Sequence, residues 1–120
     1  INIVNRAEAS IRDLEKVYIS KDMKDWIKYS KEKNRIIGNQ MLAAALQLLT
    51  DYTSNIKISI ENAKEDYDKK LKELQEFYNN SKEDIVRNRI ISIMELLQYM
   101  LYDILPKLSK DIDDLEQILS

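Results

Sequence analysis

Apolar residues recur along this chain at three- and four-residue steps, the spacing that places side chains on one face of an α-helix. Ile3, Ala7, Ile11, Leu14 and Tyr18 mark a first helix over about Asn2 to Ile19. A second runs from about Asp22 to Thr50, with Met23, Trp26, Ile27, Ser30, Ile37, Met41, Ala44, Ala45, Leu48 and Leu49 on its inner side. Ile56, Ile58 and Ile60 alternate as a strand would. The longer series Ile56, Ile60, Ala63, Tyr67, Leu71, Leu74 and Tyr78 keeps helical spacing and overrides that reading. A third helix therefore spans about Thr53 to Tyr78. The fourth starts near Lys82, with Ile85, Ile90, Ile93, Leu97, Met100, Leu101, Ile104 and Leu105 on its face.

Breaks between these helices follow from side-chain chemistry. Ser20 or Asp22 can cap the second helix, because both side chains accept backbone N–H bonds. Asp51 to Asn55 is the weakest helical stretch, since Asp, Thr, Ser and Asn favour caps and turns. Either a turn falls there or the second and third helices form one rod. Asn79, Asn80 and Ser81 mark the clearest turn, with Ser81 and Asp84 spaced as a capping box. Gly38 sits where the second helix changes from charged to uncharged, which fits close helix packing or a break. Pro106 interrupts the fourth stripe, and Leu108, Ile112, Leu115 and Leu119 resume it. A kinked continuation and a short fifth helix both satisfy that pattern.

The expected architecture is all-α: one domain over residues 1–120, an antiparallel four- or five-helix bundle with long central helices. A chain of 120 residues buries ~two-thirds of its unfolded surface, enough for a core without staples. The two least charged segments, Ile36–Thr50 and Ile90–Leu105, are expected to pack on each other as that core. Charge is unevenly divided, with a basic excess before residue 60 and an acidic excess after it. The halves can therefore attract one another within the bundle.

Composition removes most chemistry. Without Cys there are no disulfides, thiolate metal sites or thiol nucleophiles. Without His the commonest metal ligand and general base are gone. One Gly and one Pro leave no phosphate-binding loop. The acids Glu61, Glu65, Asp66 and Asp68 alternate with lysines and read as a solvated face, with Glu65–Lys69, Asp66–Lys70 and Asp68–Lys72 as helical ion pairs. Asp111, Asp113 and Asp114 lack the Gly and closing Glu of a calcium loop. Glu95 and Asp103 lie in the most apolar part of the fourth helix and are expected to face outward. No catalytic, cofactor or metal site is expected.

Net charge is −2, which does not favour nucleic acid as a partner. The basic run Lys28, Lys31, Lys33 and Arg35 suits phosphates or an acidic protein, and reads first as a solvated face. The longest uncharged run, Ile36 to Thr50, falls short of the ~20 residues of a membrane span. A cytoplasmic location is the expectation, with neither a membrane span nor a small-molecule ligand. Aromatic side chains are the remaining candidates for contact. Trp26 and Tyr29 lie three apart on the second helix, and Tyr99 and Tyr102 three apart on the fourth. Tyr and Trp dominate interface hot spots and also fill bundle cores.

Two stretches carry a resemblance. IISIMELLQYMLYDILPKLSKDIDDLEQIL, residues 90–119, resembles the closing helix of uncharacterised small all-helical proteins of Firmicutes, with a leucine-rich helix, a Tyr and a Leu-Pro near its end. ISKDMKDWIKYSKEKNRII, residues 19–37, is similar to the second helix of flagellar export chaperones, where a short turn precedes Asp-Trp and a charged helix. The chaperone resemblance implies a small cytosolic bundle that holds a helical segment of a secreted subunit in a groove. The expected function is a non-enzymatic protein-binding module of adaptor or export-chaperone type, docking through Trp26, Tyr29, Tyr99 and Tyr102. The alternative is a structural protein that pairs with itself as a homo-oligomer.

Overall fold

The computed structural model describes residues 2–15 and 21–120, with side chains described for 3–9 and 21–120. The fold is all-α, with no strand among the described residues. Helix α1 spans Asn2–Glu15, α2 Lys21–Ile37, α3 Gln40–Asn80, α4 Asp84–Tyr99 and α5 Leu105–Leu119. A five-residue π turn, Met100–Ile104, joins α4 to α5 without a break in the helix. The contributions expected of Ile11, Leu14 and Tyr18 and the Ser20 cap lie outside the described residues and side chains.

Two compact units divide the chain. The first holds residues 1–17 and 61–107, hence α1, the second part of α3, α4 and the π turn. Here α1 packs on α4. Val4, Ala7, Tyr67, Leu74, Ile90, Ile93, Leu97, Met100 and Leu105 are buried. Arg89 of α4 ties this packing at its edge, donating to Asn5 Oδ1 at 3.1 Å and pairing with Glu8 at 3.6 Å. Arg87 stacks over Tyr78, 4.3 Å from its ring centroid, across the α3–α4 turn.

The second unit holds residues 18–60 and 108–120, hence α2, the first part of α3 and most of α5. Its buried residues are Ile27, Ser30, Thr53, Ile60, Leu108, Ile112 and Leu115. The contrast in charge between the chain's halves is used inside this unit. Lys24 of α2 lies 3.1 Å from Asp111 and 3.7 Å from Asp114. Lys57 of α3 lies 2.9 Å from Glu116 and 4.0 Å from Asp113.

The chain reverses at Gly38, not at Asp51–Asn55. Gly38 sits at φ +59°, the left-handed region where a glycine escapes the Cβ penalty. Its N–H closes α2 on the Asn34 carbonyl at 2.8 Å. Asn39 then caps α3, accepting the Leu42 N–H on its side-chain oxygen at 3.1 Å. One residue thus ends a helix and the next begins another. The expected turn at Asp51–Asn55 is helix, because its polar side chains bond along the helix. Thr50 and Thr53 donate to the carbonyls four residues back, at 3.0 and 2.7 Å, and Gln47 donates to Asp51 at 3.0 Å.

Other expectations are corrected at the α3–α4 turn and on the inner faces. Ser81 does not cap α4. Its hydroxyl donates back to the Phe77 carbonyl at 2.8 Å, closing α3, and Glu83 takes the cap position without a side-chain bond. Ile85 is exposed one turn before the buried stripe starts at Ile90. Ile36–Thr50 is not core: it contains no buried residue, and it lies in a different unit from Ile90–Leu105.

The π turn explains how the stripe survives Pro106. Buried positions run Ile90, Ile93, Leu97, Met100, Leu105, Leu108, Ile112 and Leu115. Every step is three or four residues except Met100 to Leu105, which is five. Widening the turn there absorbs the extra residue, with the Leu105 N–H bonded to the Met100 carbonyl. Pro106 follows, where its missing N–H and its ring would burden an ordinary α turn.

Candidate docking surface

Helix α2 divides cleanly. Ile27 and Ser30 are buried, and Met23, Lys31 and Asn34 half-buried. Trp26, Tyr29, Ile36 and Ile37 point outward at helical spacing and are exposed. Lys33 lies over the Tyr29 ring at 5.9 Å. Tyr29, Lys33, Ile36, Ile37 and the stem of Glu32 line a shallow, mainly apolar depression. In α3, Leu42, Ala45, Leu46 and Leu49 are half-buried ahead of Thr53, while Met41, Ala44, Leu48 and Tyr52 lie outward. The α2–α3 hairpin therefore ends in a region apolar on both helices. Ile36 is 68%, Ile37 56%, Met41 84% and Leu48 69% exposed.

The second unit is held together by contacts of α5 with α2 and α3. Lys24 meets Asp111 and Asp114, and Lys31 Nζ donates to the Ser120 carbonyl at 2.8 Å. Contacts advance together along both helices, so α5 runs parallel to α2. Lys57 meets Asp113 and Glu116, whereas Thr50, Thr53 and Ser54 surround Glu116, Leu119 and Ser120. Those contacts advance in opposite senses, so α5 is antiparallel to α3. Ser120, just past α5, meets Lys31 of α2 and, with Leu119, lies beside Thr50 of α3.

Electrostatics around this end are one-sided. Lys28, Lys31, Lys33 and Arg35 crowd the last turns of α2, and Ile36 to Thr50 carries no charge. Glu32 is the one acid among them, and it is occupied. Arg35 donates to both its oxygens, through Nε at 3.2 Å and also through Nη2. That hydrogen bonding, followed by the guanidinium charge, holds the Glu32 carboxyl below its ordinary range. Lys28, Lys31, Arg35 and Ile118 line an open basic depression on the α5 side.

The structure places Trp26 and Tyr29 on this outer face of α2, and Tyr99 and Tyr102 in the other unit, at and beside the π turn. All four are exposed. Ile36, Ile37, Met41 and Leu48 were the residues that sequence reasoning assigned to the core or left aside. Glu95 and Asp103 are exposed. Asp111 and Asp114 are half-exposed and shared with Lys24. No three His, Cys, Asp or Glu side chains converge as a metal site among the described residues. No helix is long and apolar enough to cross a membrane among them. Comparison with protein-family models, known proteins and solved structures returned no match for this chain.

Proposed function

We propose that this chain is a non-enzymatic helical protein-binding module, an adaptor or a chaperone of the export type, that docks its partner on the outer end of the α2–α3 hairpin. One observation carries the reading: fifteen consecutive residues without a charge, Ile36 to Thr50, contain no buried residue. Single exposed apolar side chains are ordinary, but a contiguous group flanked by polar residues marks an interaction site. Trp26 and Tyr29 extend the group along α2 with residue types that anchor interfaces. Covering Ile36, Ile37, Met41 and Leu48 contributes on the order of 5–8 kcal/mol before the cost of association. That range supports a reversible complex rather than a permanent one.

A photo-reactive amino acid placed in living cells tests the reading. At Tyr29, Met41 and Leu48 it should yield a discrete heavier adduct, whereas at Lys72, exposed on the distant part of α3, it should not. Equal labelling at all four positions, or none at the hairpin end, would refute the assignment.

A further inference from the structure

The apex of the α2–α3 hairpin is apolar on more than one side. Ile36 and Ile37 are both exposed, and adjacent helical residues point about 100° apart. Met41, Ala44 and Leu48 stand outward on α3, and no charge occurs from Ile36 to Thr50. A protein groove takes one face of a helix. Ile36, Ile37 and Met41 together call for a medium that closes around the end. The turn can enter such a medium because its backbone is already bonded. The Gly38 N–H donates to the Asn34 carbonyl at 2.8 Å, the Ala43 N–H to the Asn39 carbonyl at 3.0 Å, and the Leu42 N–H to the Asn39 side chain at 3.1 Å.

Cations stand directly behind the apolar end. At 1.5 Å per residue, Arg35 and Lys33 lie about 5 and 8 Å back from Gly38 along α2, and Lys31 and Lys28 about 11 and 15 Å. Glu32 is the only acid from Lys28 to Thr50, and Arg35 already holds it. Tyr29 is exposed beside them, with Lys33 over its ring. Aromatic rings and lysine stems both suit the boundary between hydrocarbon and headgroups. A bilayer span needs ~20 apolar residues, more than the uncharged run supplies, but a surface contact needs only an apolar end backed by cations.

We infer that the apex of this hairpin docks on an anionic lipid bilayer. Ile36, Ile37 and Met41 enter the acyl boundary, and an insertion of about 5–10 Å brings Lys33 into the headgroup layer, with Lys28 behind it. This goes beyond the protein-binding reading by giving the same end a second ligand. Lipid and protein partner then compete for Ile36, Ile37 and Met41. Charge disfavours a second copy there, because a two-fold contact sets a patch against itself and brings lysines against lysines.

Flotation of the whole chain with phosphatidylcholine vesicles, with and without phosphatidylglycerol, tests the inference. Binding should require phosphatidylglycerol and weaken with added salt. The exposed pair Ile36→Asp/Ile37→Asp should abolish it, and Lys28→Glu/Lys33→Glu should weaken it at least ~tenfold, with circular dichroism unchanged in each variant. The chain has no Cys, so Met41→Cys carries a single environment-sensitive fluorophore. Its emission should shift to the blue on anionic vesicles, whereas the same label at Lys72→Cys should not respond. Flotation retained by Ile36→Asp/Ile37→Asp, or equal flotation on vesicles without phosphatidylglycerol, would overturn the inference. So would a blue shift of the Met41→Cys label that grows with protein concentration in the absence of vesicles, which would mean self-association. Photo-adducts in cells without flotation would overturn the lipid inference and leave the protein-binding reading standing. Flotation without adducts would support the lipid contact and remove the protein-binding reading.

Discussion

Replacing Gly38 by Ala isolates the physical cause of the hairpin that carries the docking surface. A Cβ built on Gly38 meets nothing within 4 Å, so no side chain has to move. The entire cost lies in the backbone at φ +59°. An L-residue held there loses roughly 1–2 kcal/mol. Restricting the unfolded chain returns roughly 0.4–1 kcal/mol. A net loss near 1 kcal/mol is therefore expected. Gly38→Asn should lose less, because Asn tolerates the left-handed region. Asn39→Ala should cost about 1 kcal/mol through a different bond, the 3.1 Å cap to the Leu42 N–H. The single Trp of the chain, Trp26, belongs to the same unit, so its fluorescence in urea reports on this hairpin. If Gly38→Ala is as stable as the parent, the chain does not reverse through a left-handed residue there. The exposed end described above would then be lost, with α2 and α3 running on as one helix. If Gly38→Asn loses as much as Gly38→Ala, the backbone angle is not the cause.

Three further outcomes follow from particular side chains. Asn34 Oδ1 is buried with no hydrogen-bond donor among the described residues, so Asn34→Leu should raise stability by about 1 kcal/mol in the same urea assay; a loss would show that the oxygen has a partner. Deleting Asp103 removes the five-residue step of the buried stripe. In a Pro106→Ala background the shortened helix should keep its thermal midpoint, whereas with Pro106 present it should lose about 3 kcal/mol; equal behaviour would refute the link between proline and π turn. Glu32 should titrate below the usual carboxylate range, and Arg35→Gln should move its midpoint upward, as followed by side-chain carbon shifts. Because the folded value is depressed, the pair's small contribution is present above the ordinary Glu value and fades as pH falls through the folded one. An Arg35→Gln variant with an unmoved midpoint would contradict the pairing.

Much of the fold was legible wherever one apolar stripe met one polar face. Ile60, Tyr67 and Leu74 of α3, and Ile90, Ile93, Leu97 and Met100 of the fourth stripe, are buried as their spacing requires. Asp51–Asn55 misled because local propensity treats Asp, Thr and Ser as turn formers. In α3 the Thr50 and Thr53 hydroxyls donate within the helix instead, Asp51 accepts from Gln47, and Thr53 packs inward. The true reversal had a readable signal: a glycine that can close one helix, followed directly by an asparagine that can cap the next. The π turn left no such signal, because Leu101 and Ile104 carry the apolar spacing across it; the five-residue step emerges only once burial is known.

The docking surface was hidden by a rule that is sound on average, that the least charged segment is the deepest. A helix packed on one side needs apolar residues on one face only. Between Ile36 and Leu49 they occupy every face, more than α2, α3 and α5 can cover together. Such an excess has two sources, burial on all sides or a second surface awaiting a partner, and composition alone does not distinguish them. The exposed faces decide it: Ile36, Ile37, Met41 and Leu48 stand outward, while Leu42, Ala45, Leu46 and Leu49 turn inward and are half-buried.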